Sequence, residues 1–303
     1  MDLSLSDDQR QILDAIDSLT RPYAGVPLHD TSLALESAGL DRALAEDGFL
    51  DVIAMELGAV TAALVTERLA RLPFAVEAAA TALVRPLLDP ALPRPLVLVE
   101  EARWQAPLRY LRPGASVVVV GAQVRSFTAR AADVRAAGAE VLYAYPMAWL
   151  AALPAQMTGH AVDADALRAA WRVGLAAESA GLLAGALAST VAHISQRKQF
   201  GRPLATFQAL RHRMAEAQVL TNGVYWLALK AASSGDPGDA ALAALHAQEA
   251  AKRVVYDFHQ FLGAMGMTLE HPLHLWTYRL KALGSELGGR AENALAAAAA
   301  IWG

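Results

Sequence analysis

The run Arg197-Lys198-Gln199-Phe200-Gly201-Arg202-Pro203 follows a long apolar stretch, and Phe207-Gln208 lie four residues further on. Gly and Pro must end one helix here, and a new helix starts after them. An arginine at such a corner can form charge-assisted hydrogen bonds to a pyrophosphate. The amides and dipole of a nearby helix N-terminus favour the same anion. Phe200 can pack on a flat ring, and the Gln208 amide can donate to and accept from a base or a ribose. The same residue types equally describe a salt-bridged helix hairpin plugged by a phenylalanine. A second run, Gln260-Phe261-Leu262-Gly263-Ala264-Met265-Gly266-Met267, precedes Glu270-His271-Pro272-Leu273.

Other chemistries lack their residues. Gly121 follows a valine run but opens no G-x-G-x-x-G, and there is no P-loop and no G-x-S-x-G. His271 and His274 are separated by Pro272, and no H-E-x-x-H occurs, so no metal site is expected. The chain has no cysteine, which excludes disulfides, a thiol nucleophile and Cys-ligated zinc or iron–sulfur clusters.

The elements that must hold these runs are mostly helical. Residues 1–89 read as an N-terminal helical domain, with a Ser6-x-x-Gln9 capping box ahead of Ile12, Leu13 and Ile16. Helices are expected near 32–47, 56–72 and 74–88, with a Pro-, Gly- and Asp-rich loop over 21–31. Glu56, Glu67 and Arg71 read as solvated helix-face charges. Residues 90–161 are punctuated by proline and read as a reduced β domain. Its strands are expected at 96–99 and 116–120, with weaker ones at 124–128 and 141–145. Residues 162–303 read as a C-terminal helical bundle domain. Asp163 can cap a helix over about 165–197, with Leu183, Leu187, Val191 and Ile194 on one face and Gly181 and Gly185 allowing a close helix approach. Further helices are expected from Thr206 to about Ala232, over 239–262, and in a final region with an Ala-rich tail over 293–303. The expected fold class is mainly α.

Lys and Arg number 26 against 30 Asp and Glu, a net charge of −4, which argues against a nucleic-acid partner. Charged residues are only 18% and hydrophobic ones 55%, which suggests buried subunit interfaces. The start Met1-Asp2-Leu3-Ser4-Leu5-Ser6-Asp7-Asp8 is acidic and carries no basic-then-apolar leader. The longest uncharged runs are interrupted by Pro, His and Gly. A soluble, cytoplasmic chain with no membrane span is expected.

The two runs together resemble the signature of the acyl-CoA dehydrogenase family. Arg-Lys-Gln-Phe-Gly-x-Pro-x-x-x-Phe-Gln at 197–208 is similar to the family's C-terminal helical domain, and 260–273 to its Gln-x-x-Gly-Gly-x-Gly run with a following Glu-x-Pro. Glu46-Asp47-Gly48-Phe49 and Glu67-Arg68-Leu69-Ala70-Arg71-Leu72-Pro73 resemble its first helical domain. The resemblance implies an N-terminal helical domain, a barrel-like β domain and a C-terminal four-helix bundle, with FAD lying between subunits. It implies cofactor contacts from Arg197, Phe200, Gln208, Gln260, Gly263 and Ala264 to the adenosine and pyrophosphate half of a neighbour's FAD. Ala264 stands where the family has a second glycine.

The departures are as informative. The family's reaction needs a carboxylate base in one of two places. The first, 26 residues ahead of Arg197, is Trp171 here, and the second is Leu287, with Glu286 beside it. Glu286 is therefore the one weak candidate for a catalytic base. Glu178, two turns from Trp171, reads as a structural or interface carboxylate. The middle segment shows no Thr/Ser-rich run of the kind that hydrogen-bonds the flavin ring, and it is short for a full barrel. The resemblance thus implies a non-catalytic subunit of a heteromeric, FAD-dependent acyl-CoA dehydrogenase of the steroid-degradation type. FAD would be shared with a full-length partner subunit in a heterotetramer, acting on an acyl-CoA, a bulky one included, and passing electrons to an electron-transfer acceptor. Two alternatives stay open: a self-sufficient enzyme using Glu286, and a flavin-free helical scaffold.

Overall fold

The computed structural model describes residues 4–26 and 32–303. Helix α1 (Asp7–Thr20) opens with the capping box, the Gln9 amide donating to Ser6 Oγ at 3.1 Å and the Ser6 amide to Gln9 Oε1 at 3.0 Å. A 3-10 turn, Arg21–Tyr23, follows, and residues 27–31 of the expected loop lie outside the described residues. Helices α2 (Ala38–Glu46) and α3 (Gly58–Ala70) are shorter than the sequence pattern suggests.

The helix expected over 74–88 is reduced to a π-helical turn, Ala80–Val84, and a 3-10 turn, Arg85–Leu87. Glu77 explains the interruption. Its carboxylate accepts from the Thr81 amide (2.9 Å), the Thr81 hydroxyl (2.5 Å) and the Leu96 amide (3.1 Å), while Arg94 takes its carbonyl (2.6 Å). A side chain that claims the amide four residues on removes a helical bond and ties the segment to the first strand instead.

Residues 90–160 form seven short strands in two sheets. Strands β1 (Leu96–Glu100), β3 (Ser116–Val120), β4 (Val124–Thr128) and β7 (Thr158–His160) lie in the order β1-β3-β4-β7, with β1 and β3 parallel. Strands β2 (Leu108–Arg109), β6 (Met147–Leu150) and β5 (Val134–Ala136) make an antiparallel second sheet. The strand expected at 141–145 does not form. Ala144 and Tyr145 are both buried, which breaks strand alternation, and Tyr145 turns inward to bond Glu178. The strand starts two residues later.

Helix α4 (Ala164–Gln196) is capped by Asp163. A two-stranded hairpin, β8 (Lys198–Gln199) and β9 (Arg202–Pro203), and a 3-10 turn lead into α5 (Gln208–Ser234). Then come α6 (Pro237–Leu262), a 3-10 segment Gly263–Met267, α7 (His274–Leu283), a 3-10 turn Glu286–Gly288 and α8 (Gly289–Trp302). The chain is therefore mainly helical, with a small sheet region between an N-terminal helical part and a C-terminal bundle. The Ala-rich tail is helical because it docks: Asn293 and Ala297 are buried, and the Asn293 amide donates to Gln248 (3.1 Å) while its oxygen accepts from Arg172 (2.9 Å). Helix α4 is long and apolar enough to cross a membrane, but two-thirds (67%) of its apolar window is buried inside the protein. One hydrophobic core runs through the N-terminal helices and the bundle, and a second fills the sheets.

Two glycines set the spacing of α3 and α4. A Cβ at Gly181 would collide with the Glu67 carbonyl and lie 2.7 Å from the Ala70 Cβ, and one at Gly185 would lie 2.8 Å from the Arg71 carbonyl. This approach buries Glu67, contrary to a solvated role. It pairs with Arg71 at 2.7 Å, and burial pushes its carboxyl up against the pull of that arginine. Glu56 is exposed, in a turn. Val191 leaves the expected apolar face and is exposed. Gly181→Ala is expected to cost about 1–3 kcal/mol through overpacking, read as a lower unfolding midpoint in thermal denaturation.

Candidate functional site

A cavity of about 170 Å³ opens where the sheets, the Glu77 segment, α4 and the turn after α7 meet. Its polar end is built around Arg109 on β2. The guanidinium donates from Nη1 to both oxygens of Glu178 (3.1 and 3.0 Å), and from Nε and Nη2 to Glu286 (2.5 and 3.3 Å). Glu178 stands on α4 and also accepts from the Tyr145 hydroxyl at 2.6 Å. Glu286 sits in the 3-10 turn after α7 and accepts from the Trp171 indole N–H at 2.9 Å. Leu287 holds a positive φ of 51°, followed by Gly288 at 75°, and this left-handed corner turns Glu286 inward.

The electrostatics follow from burial. Burial alone would lower Arg109, but Glu178 and Glu286 outweigh it and hold the guanidinium above the usual arginine range. Its charge also lies over the Tyr145 ring, 4.7 Å from the centroid. Burial first, and the Glu178 charge second, push the hydroxyls of Tyr145 and Tyr110 well above the ordinary phenol range. Both therefore stay protonated. The Tyr110 hydroxyl is buried and has no hydrogen-bond partner among the described residues.

Trp171, Glu178, Glu286 and Leu287, raised one by one in the sequence, all line one cavity in the structure. The sequence gives no sign of Arg109. A lone arginine on a two-residue strand has no spacing signature, and neither has Tyr145 in a segment read as a strand. Glu286 is the residue most affected. Tied to a guanidinium and an indole, it is not a free carboxylate.

The other expected site residues lie at one end of the bundle. Helices α4, α5 and α6 alternate in direction, so the end of α4, the start of α5 and the end of α6 come together. Arg213 on α5 bonds Asp257 on α6 at 2.9 Å, and the His193 and His271 rings meet edge to face at 5.3 Å. Arg197, Phe200, Gln208, Gln260, Gly263 and Ala264 are all exposed here. The Arg197, Gln208 and Gln260 side chains have no hydrogen-bond or ion-pair partner among the described residues. Phe200 is 85% exposed and does not plug the core. It occupies the hairpin tip with φ 55°, and Gly201 follows at 76°, the two positive values of a type I′ turn between Gln199 and Arg202. Among the described residues no group of three or more His, Asp or Glu could hold a metal ion.

Helices, a two-sheet segment and an antiparallel bundle that meet at this open cavity make up the acyl-CoA dehydrogenase fold. Residues 159–300, a little under half of the chain, match the family "Acyl-CoA dehydrogenase, C-terminal domain". Among curated relatives, the acyl-CoA dehydrogenase FadE34 of Mycobacterium tuberculosis is 32% identical over 154 residues, which is 48% of this chain and 22% of that protein. The acyl-CoA dehydrogenase IpdE2 of the same organism is 38% identical over 105 residues, 35% of this chain and 33% of that one. The match thus spans a third or less of these two relatives. A chain of the ChsE4–ChsE5 complex from Mycobacterium tuberculosis superposes with a TM-score of 0.77 at 19% identity, covering 97% of both chains. A chain of the Tcur3481–Tcur3483 steroid ACAD gives 0.73 at 20% identity, covering 98% of each. At such identities the likeness is one of fold.

Two outcomes follow from these contacts. Arg109→Met leaves the buried Glu178 and the half-buried Glu286 without their cation and is expected to cost about 3–5 kcal/mol, read by denaturant unfolding at neutral pH. His271 is held down at about 4 by burial and then by His193, His274 and His259. Its folded value lies below its unfolded one, so its contribution to stability is present above about pH 6.5. That contribution is lost as pH falls towards about 4. His271→Gln should flatten this limb of the stability profile.

Proposed function

We propose that this chain is the non-catalytic subunit of a heteromeric, FAD-dependent acyl-CoA dehydrogenase, lending adenosine and pyrophosphate contacts to the FAD of a full-length partner. The carrying observation is the double capture of Glu286 by Arg109 and Trp171, which leaves the chain's one candidate base without a free carboxylate. The cavity supports the same reading. It is close in size to an apolar cavity of about 150 Å³ that holds benzene, whereas a flavin ring system has three fused rings.

The bundle end fits the other half of FAD. In this reading Arg197 donates charge-assisted hydrogen bonds to the pyrophosphate, and the Gln208 and Gln260 amides serve the adenosine. Phe200 packs on the partner's bound cofactor. Gly263, with φ 61°, and Ala264 present backbone at close range. When bound, the cofactor would supply the hydride acceptor for α,β-desaturation of an acyl-CoA thioester, with an electron-transfer protein as the acceptor of its electrons. A two-plus-two heterotetramer in the cytoplasm, acting on a bulky polycyclic acyl group, completes the reading. It draws on the steroid enzyme and the two-protein complex among the structural neighbours.

Visible absorption decides it. The chain purified alone is expected to be colourless, and co-purification with its partner to yield about one FAD per pair. A stoichiometric flavin on the lone chain would favour a self-sufficient enzyme, and no flavin in any complex would favour a scaffold. In the complex, Arg197→Ala should weaken FAD retention about 10- to 150-fold, the equivalent of one lost charged hydrogen bond. Glu286→Gln should leave turnover within a few-fold of wild type.

A further inference from the structure

At the bundle end, Gly263 and Ala264 lie in the 3-10 segment that follows α6. Gly263 opens it with a φ of 61°, a value glycine adopts without steric cost. Gly266 is buried, folded so closely on α6 that a Cβ there would lie 2.7 Å from the His259 carbonyl. The side chain of the same histidine completes the contact. His259 Nδ1 lies 2.6 Å from the Gly266 carbonyl oxygen, and its Nε2 lies 2.9 Å from the Thr277 hydroxyl on α7. The Tyr278 ring lies nearly parallel, at 21° and 6.3 Å between centroids. One half-buried imidazole thus fastens the segment to the end of α6 and to α7 together.

These partners also fix where the proton sits. A carbonyl oxygen can only accept, so Nδ1 carries the hydrogen, and in the neutral ring Nε2 accepts from the Thr277 hydroxyl. That hydroxyl is also 3.1 Å from the Leu273 carbonyl, which already accepts from the Thr277 amide at 3.1 Å, so it is free to turn to the ring. Burial above all holds His259 below the ordinary histidine range, against the pull of the Gly266 carbonyl and with help from Lys281 and His274. The ring is therefore neutral at neutral pH.

We propose that His259 is a positioning residue for the shared cofactor: through its bonds to Gly266 and Thr277 it sets where Gln260, Gly263 and Ala264 stand at the bundle end. It directly precedes Gln260 and holds the segment that contains the other two, all three of them exposed. The histidine itself touches no cofactor and acts through the Gly266 bond. The inference rests on the reading of these three residues as FAD contacts.

The first readout needs no cofactor. In the isolated full-length chain, nitrogen NMR should show the neutral His259 ring protonated at Nδ1, a result that stands whether or not a variant folds. Amide exchange over residues 263–267 should quicken about fivefold in His259→Leu, the effect of one neutral hydrogen bond. His259→Asn places an amide N–H where Nδ1 stands and should restore slow exchange. His259→Gln reaches towards Thr277 instead and should not. A role in packing alone would rank these two the other way, since Gln is nearer to His in size. In the complex, FAD retention should follow the same order, about fivefold weaker for Leu and Gln and near wild type for Asn, with Arg197→Ala as the reference. The proposal is overturned by a neutral ring protonated at Nε2, by rescue with Gln and not with Asn, or by FAD retention that falls in Arg197→Ala and not in His259→Leu. Retention unchanged in every variant, Arg197→Ala included, would bring down the reading of the bundle end, and the proposal with it.

Discussion

One guanidinium holds three parts of this protein together. Arg109 comes from a two-residue strand, Glu178 from the middle of the longest helix, and Glu286 from a turn between the last two helices. Among the described residues no other side chain bonds to all three of these elements. Burying such charges is expensive, and only dense hydrogen bonding makes it tolerable. The tyrosine and indole donors around the pair satisfy that condition. The same arrangement commits the interior. Both carboxylates accept from the one guanidinium, so a single side chain holds the sheet, the long helix and the turn in register.

The sequence was most legible where local rules act. The capping box at Ser6 and Gln9, the Asp163 cap, the valine strand at 116–120 and the long helices followed from side chains that bond within four residues or repeat on one face. The glycines at 181 and 185 also announced a close helix crossing. Legibility failed where a single distant contact overrode local preference. Glu77 broke a helix by bonding a strand, and Tyr145 left a strand to reach Glu178. Glu67 was drawn inside by the very approach that Gly181 permits.

The two candidate sites divide along the same line. The bundle-end residues were singled out because they sit in two short runs, and the structure sets those runs at one end of the bundle, where the Arg197, Gln208 and Gln260 side chains have no hydrogen-bond partner among the described residues. The junction cluster was half seen: Trp171, Glu178 and Glu286 were each noted, but as unrelated positions. What relates them is Arg109, 69 residues before Glu178 and 177 before Glu286. Pairing at that range is a property of the folded chain, with no trace in spacing.

The Phe200–Gly201 turn carries a consequence of another kind. A two-residue loop has no slack, so the aromatic tip is aimed before anything meets it, and little freedom remains to be lost on contact. That readiness is held against preference, since a bulky residue in the left-handed region is strained. Stability by itself would favour glycine or asparagine there. A phenylalanine at this tip therefore trades some stability for an aromatic face presented to solvent.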